Sequence, residues 1–191
     1  MSALTFLKQF VLHPGEVGAI APSSRGLAEL IVDAAIVRQA KTIVEFGPGT
    51  GVFTKRILEE VRDDADFFAI EWNERFAEAL SGRYPGIDIY CDCATNAKKH
   101  LAARTQSHCD CIVCGLPWSV FEDDLQDRLI DTILEILRPG GRFVTFAYWQ
   151  GLLLPGGRAF QRKLQSRFRC VERTRTVWQN LPPAFVYIVQ K

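Results

Sequence analysis

The sequence predicts an α/β domain with a mostly parallel sheet and helices on both faces. Three observations predict it. Short β-rich runs alternate with stretches of helical periodicity along most of the chain. The first of these runs ends in a glycine turn that opens a helix. The last two runs have no helix between them, so they pair antiparallel at a sheet edge.

The elements follow in order. Ala3 to Leu12 and Ser24 to Arg38 are helical stretches that precede the first strand, separated by His13-Pro14-Gly15 and Ala21-Pro22-Ser23. Lys41 to Phe46 is the first strand. Val52 to Val61 carries Phe53, Ile57, Leu58 and Val61 at helical spacing. Asp66 to Glu71 is the second strand, and Asn73 caps the helix after it, which Tyr84-Pro85-Gly86 ends. Ile87 to Cys91 is a strand, Ala94 to Arg104 a helix, and Cys109 to Cys114 the next strand. Leu125 to Leu137 is a helix broken by Arg138-Pro139-Gly140-Gly141, and Arg142 to Tyr148 is the fifth strand. Residues 168–177 and 184–190 are the two edge runs, joined by Asn180-Leu181-Pro182-Pro183.

The 191 residues suit one domain, 1–191, in which 1–38 form an N-terminal helical extension. With 48% apolar and 24% charged residues the balance is that of a globular protein. The net charge of +1 gives the whole molecule no electrostatic address. No run suits a membrane-spanning helix, and the N-terminus lacks the order of segments of a secretory signal. The six cysteines are therefore read as free thiols of a reducing cytoplasm. Cys91, Cys93, Cys109, Cys111 and Cys114 lie close in sequence, but their spacing suits no standard zinc site, so no metal is expected.

The chemistry centres on Val44-Glu45-Phe46-Gly47-Pro48-Gly49-Thr50-Gly51. Glycines at 47, 49 and 51 let backbone approach a ligand closely. Glu71 ends the second strand, where a carboxylate can accept both ribose hydroxyls of an adenosyl group. The spacing is G-x-G-x-G rather than the dinucleotide G-x-G-x-x-G. Glu45 sets a carboxylate beside the turn, which suits the sulfonium and amino end of S-adenosylmethionine better than a pyrophosphate. A dinucleotide site and a purely structural turn are the alternatives. Asp92 follows the third strand and could accept the adenine amino group, cap the next helix, or both.

Val44 to Thr54 resembles the first motif of class I methyltransferases. With Phe6-Leu7-Lys8 through Val17-Gly18-Ala19-Ile20-Ala21-Pro22-Ser23-Ser24, Gly115-Leu116-Pro117-Trp118 and Asn180-Leu181-Pro182-Pro183-Ala184, the chain resembles the bacterial phospholipid N-methyltransferases, relatives of the rRNA adenine dimethyltransferases. The resemblance implies a Rossmann-like, seven-stranded sheet with the last strand antiparallel. It implies a site for S-adenosylmethionine, released as S-adenosylhomocysteine, at Gly47, Gly49, Glu71 and Asp92. Glu45, Gly51, Trp72, Cys93, Gly115 and Leu116 complete the expected cofactor contacts. It also implies stepwise methylation of phosphatidylethanolamine towards phosphatidylcholine at the cytoplasmic face of the cell membrane. Adenine N6 enzymes carry an Asn where this chain has Gly115, and they add a C-terminal helical domain, so nucleic acid is not the expected acceptor. Adenine N6 methylation and another amino lipid are the alternative acceptors.

Methyl transfer from a sulfonium mainly needs alignment, but an amine acceptor must first lose a proton. Glu45, His13 and Asp92 are the candidate acceptors of that proton. Trp118 and Tyr148 are candidates to hold the methylated cation by cation–π attraction, or are ordinary crevice aromatics. Leu4, Leu7 and Val11, with Phe6 and Phe10, give the N-terminal helix an apolar face for the lipid interface, for a lid, or for the core. Arg158, Arg162, Lys163, Arg167, Arg169, Arg173 and Arg175 form a basic run for anionic lipid, for nucleic acid, or simply for solvent, and the apolar loop between Gly151 and Gly157 before it suits membrane insertion better than phosphate-backbone contact. The expected molecule is a monomer peripheral to the membrane.

Overall fold

The computed structural model describes residues 23–191. Helix α1 (Arg25–Ala35) starts at Ser24, whose hydroxyl accepts from the Leu27 N–H at 3.2 Å, and buries Leu27, Ala28, Ile31, Val32 and Ala35. The helix expected to run to Arg38 stops at Ile36, which turns left-handed at φ +54°; a 3₁₀ turn, Val37–Gln39, follows and drops Val37 into the core. Then come β1 (Thr42–Phe46), α2 (Val52–Leu58), β2 (Asp66–Glu71), α3 (Glu74–Arg83) and β3 (Asp88–Cys91). After a 3₁₀ turn at Ala94–Asn96 follow α4 (Ala97–Ala103) and β4 (Cys109–Cys114). A third such turn, Trp118–Val120, leads to α5 (Asp123–Ile136) and β5 (Leu137–Tyr148). The chain closes with α6 (Pro155–Arg167), β6 (Cys170–Arg173) and β7 (Ala184–Gln190).

The seven strands form one sheet in the order β3-β2-β1-β4-β5-β7-β6. Pairings are parallel from β3 to β5, and β7 runs antiparallel to both β5 and β6, as expected for the edge runs. The order reverses between β1 and β4. In such a sheet the crossover helices diverge there and leave a crevice at the carboxyl ends of the strands.

Alternation along β1 sorts the core into two layers. Val44 and Phe46 face one side, with Leu101 of α4, Leu129 and Ile133 of α5, and Phe160 and Leu164 of α6. Ile43 faces the other, with Leu27 and Ile31 of α1 and Phe53 and Ile57 of α2. The β4 thiols split likewise: Cys109 and Cys114 lie in the first layer and Cys111 in the second. Burial pushes the Cys111 and Cys114 thiols up to about 12 and raises Cys109 as well, so they pack as small apolar groups. Cys91 is exposed, and Cys93 and Cys170 are half-buried.

Two segments correct the sequence expectation. Strand β5 begins at Leu137, because that residue pairs with Cys109 before a register shift brings Arg142 opposite Cys111. The apolar loop expected over 151–157 is instead a 3₁₀ turn, Trp149–Leu153, followed by the first turn of α6, with Pro155 at a position that needs no N–H. Its glycines serve packing. A Cβ on Gly156 would lie 2.5 Å from the Ser119 carbonyl oxygen, and one on Gly157 2.0 Å from that of Gly151.

Gln126 ties these pieces together. It is fully buried, and its amide nitrogen donates to the carbonyls of Trp118 at 2.8 Å and Gly156 at 3.0 Å, with that of Phe121 at 3.4 Å. Replacing it by leucine keeps the volume but strands buried carbonyls. Gln126→Leu is expected to lower unfolding stability by about 2 kcal/mol in urea titrations; a change near zero would show that the amide does not join the segments.

Candidate functional site

A cavity of about 500 Å³ opens at the carboxyl ends of β1, β2, β3, β4 and β5. Gly47, Gly49, Glu71, Trp72, Asp92, Cys93, Gly115, Leu116, Trp118 and Tyr148 all line it. The structure therefore gathers most of the residues singled out in the sequence, although they come from five strand ends.

The floor is built by close backbone approach. Gly47 donates its N–H to the Ile70 carbonyl at 2.9 Å, and Gly115 donates to that of Phe46 at 2.8 Å. Gly47 and Gly49 hold φ of +66° and +55°, where a side chain is strained. A Cβ on Gly115 would meet the Gly47 carbonyl oxygen at 2.5 Å. An asparagine there would require the backbone to move. Around Gly49 a Cβ would meet nothing within 4 Å, so this residue leaves open space.

Glu71 locks the turn. Its Oε2 accepts the Gly49 N–H and its Oε1 the Asn73 N–H, both at 2.9 Å. Burial raises its pKa, and these backbone bonds oppose the rise. Each oxygen keeps a lone pair, so the carboxylate can still accept two donors, the number a ribose offers. At Asp92, Oδ1 accepts from the Cys93 N–H at 2.7 Å and from Asn96 Nδ2 at 2.8 Å, and Oδ2 lies 2.8 Å from His100 Nε2. Burial raises its pKa, but the bonds from Asn96, His100 and Cys93 outweigh burial and hold the carboxyl below its ordinary value. Asp92 thus lines the cavity as an anion with one acceptor position left. Among the described residues, no lysine, arginine or histidine lines the cavity. Two spare acceptors at Glu71, one at Asp92, open space at Gly49 and a field without bases fit an adenosyl sulfonium. They do not suit a pyrophosphate.

Several expected residues take other positions. Glu45 alternates to the α2 side of the sheet and is fully buried, outside the cavity lining, because Val44 and Phe46 take the opposite face. Its Oε2 accepts from Thr54 Oγ1 at 2.7 Å, and its Oε1 has no partner. It meets α2 rather than a ligand in the crevice. Gly51 also lies outside the lining; a Cβ there would strike Leu80 at 2.5 Å, so it packs the turn on α3. Trp118 lines the cavity but is buried, with Nε1 donating to Thr145 Oγ1 at 3.0 Å and its ring stacked on Phe160 at 4.1 Å. Tyr148 keeps a buried hydroxyl with no partner. His13 and the N-terminal helix lie outside the described residues.

The basic run is partly neutralised. Lys163 pairs with Asp123 and Asp127 of α5, and Arg167 with Asp131. The Arg173 guanidinium lies over the rings of Phe185 and Tyr187 at 5.2 and 5.1 Å. Sequence reasoning missed two features. One is His100, behind Asp92. The other is that exposed Trp149, Trp178 and Leu181 join Leu153 and Leu154 of the expected apolar loop in one exposed group, adjoining the cavity-lining Gln150, Leu152 and Pro182.

Residues 43–141 match the methyltransferase-domain family. An ornithine lipid N-methyltransferase of Singulisphaera acidiphila is 29% identical over 187 residues, 95% of this chain and 92% of that protein. A dimethyladenosine transferase of Schizosaccharomyces pombe is 40% identical over 60 residues, 31% of this chain and 19% of that protein. Among solved structures, the N-methyltransferase NodS of Bradyrhizobium japonicum, in complex with S-adenosyl-L-homocysteine, shares the fold at a TM-score of 0.72 and 14% identity, with 100% of this chain and 99% of that one covered.

The buried Glu45 carboxylate gives a pH signature. Burial, opposed by the Thr54 hydroxyl and helped by the Glu71 charge, pushes it from 4.5 up to about 8. The folded state holds a proton that the unfolded chain releases. This contribution to stability is therefore complete below the unfolded value and is lost as pH rises through the folded one. Between roughly pH 5 and roughly pH 8.5, the melting temperature of the wild type should fall relative to that of Glu45→Gln; a constant difference would contradict the assignment.

Proposed function

The chain belongs to the methyltransferase-domain family; we propose that it takes a methyl group from S-adenosylmethionine and passes it to the amine of a membrane lipid. The proposed reaction is stepwise methylation of phosphatidylethanolamine towards phosphatidylcholine. The relative matched over nearly the full chain is an ornithine lipid N-methyltransferase, which favours an ornithine lipid as a second acceptor. The single observation behind an amine acceptor is the cavity's lining: Glu71 and Asp92, apolar walls, and no base among the described residues. Such a site favours a sulfonium and an amine together. It offers nothing to a nucleic-acid phosphate, and Gly115 has no side chain to orient an adenine amine.

When bound, S-adenosylmethionine supplies an electrophilic methyl group. Glu71 would hold the ribose and Asp92 the adenine. Phe53, Phe146 and Leu116 wall the cavity and exclude water. Burial raises the pKa of the Tyr148 hydroxyl, so it stays protonated and does not serve as the base, while the residue lines the cavity. The Trp118 ring is covered by Phe160, which leaves Tyr148 as the better aromatic support for the methylated cation. Glu45 is sealed under α2, and three donors already hold Asp92, so loss of the amine's proton to solvent suits this site better than transfer to either carboxylate.

The exposed apolar rim supports delivery from a bilayer. Among the described residues no helix is long and apolar enough to cross a membrane. Trp149, Leu153, Leu154, Trp178 and Leu181 would sit at the lipid interface, with Arg158 and Arg175 toward anionic head groups.

With labelled S-adenosylmethionine, methyl transfer is expected into vesicles of phosphatidylethanolamine or ornithine lipid and not into rRNA; label in RNA alone would overturn the lipid assignment. Replacing Leu153 and Trp178 together with glutamate is expected to lower cosedimentation with phosphatidylethanolamine–phosphatidylglycerol vesicles roughly fivefold or more. The affinity for S-adenosylhomocysteine should stay unchanged. Equal sedimentation would remove the rim from the membrane account.

A further inference from the structure

Asp92 does not stand alone at the mouth of the cofactor site. Behind it, α4 presents His100, which is buried to 9% exposure. The imidazole stacks on the Tyr90 ring, with centroids 4.1 Å apart and planes inclined by 21°. Tyr90 is in turn edge-on to Phe68 of the core. The ring plane of His100 is therefore fixed by a neighbour on β3 and one layer behind it on β2. Its Nε2 lies 2.8 Å from Asp92 Oδ2. An anionic carboxylate only accepts, so Nε2 carries the proton and donates.

Counting lone pairs shows what this bond does. Asp92 Oδ1 is filled by the Cys93 N–H and by Asn96 Nδ2. On Oδ2 His100 takes one position and leaves one. Without His100 the carboxylate would have two free positions on Oδ2 and freedom to rotate about its own bonds to Cys93 and Asn96. With it, a single acceptor position remains on Oδ2 of a residue that lines the cavity.

We propose that His100 is a positioning residue that restricts Asp92 to one acceptor direction and so makes the site select an exocyclic amino group on the cofactor's purine. The proposal rests on the assignment of Asp92 to the adenine. A site built to hydrogen-bond an N–H rejects an analogue that lacks it, because its acceptor is then left unpaired. The selectivity is a property of the Asp92–His100 pair, set by α4 from outside the cavity.

The test compares binding of S-adenosylhomocysteine with that of its inosine analogue, which carries an oxygen in place of the amine, by calorimetry. His100→Phe keeps a ring on Tyr90 and removes the donor. The preference for the adenine compound should fall roughly tenfold in His100→Phe, and His100→Gln, whose amide can donate from a similar position, should restore much of it. Equal weakening of both compounds in His100→Phe would assign His100 to packing alone and overturn the proposal. Asp92→Ala separates the two layers. If it keeps the preference, the adenine assignment itself fails. If it loses the preference while His100→Phe keeps it, only the positioning role fails. In the wild type, the Nε2–H resonance of His100 should shift on binding the adenine compound and not the inosine one; the same shift with both would also overturn the proposal.

Discussion

At the centre of the molecule two backbones touch where no side chain fits. Gly115, just past β4, lies against the carbonyl of Gly47, just past β1, and a Cβ on it would come within 2.5 Å of that oxygen. Hydrogen bonds from Gly47 to Ile70 and from Gly115 to Phe46 stitch the ends of β1, β2 and β4 into one platform. The sheet order reverses between β1 and β4, so this platform is the floor of the crevice. The placement of Glu71 against Gly49, the open space over the turn and the walls at Leu116 all follow from that contact.

The electrostatics follow from the same geometry. Bringing the ends of β1, β2 and β4 together places Glu71 there, and the Asp92 N–H, which donates to the Glu71 carbonyl at 3.1 Å, adds the end of β3. Each is satisfied by backbone or side-chain donors, yet each keeps acceptor capacity toward the cavity. Glu45 is close in sequence but points to α2, so it shapes the stability of the turn from below. The basic side chains lie elsewhere, on α6 and beyond, where Asp123, Asp127 and Asp131 of α5 take up part of their charge. The crevice thus favours cations while the outer face is mixed.

Much of this was legible in the sequence. Strand and helix periods located all seven strands and the helices over α1 to α5, because their buried stripes are regular. Helix α6 was hidden by Gly156 and Gly157 in its first turn and by a narrow stripe of Phe160 and Leu164. That omission carried a second one. Trp118 was expected to face the crevice, and only the unseen helix explains why Phe160 covers its ring. The direction of Glu45 was available from alternation with Val44 and Phe46. His100 had no local signal: its bond to Asp92 spans a 3₁₀ turn and the start of α4, and only the folded geometry joins them. The exposed rim combines residues from 149–154 with Trp178 and Leu181, segments that the pairing of β5 with β7 brings to one end of the sheet.

Glu71 shapes the glycine turn through its bond from Gly49 and is the residue proposed to receive the cofactor's ribose. The most direct measurement is calorimetric titration of S-adenosylhomocysteine into the wild type and into Glu71→Ala, with circular dichroism of both. The account predicts a loss of about 30-fold in affinity with the secondary structure retained. Equal affinities in the two proteins would contradict it.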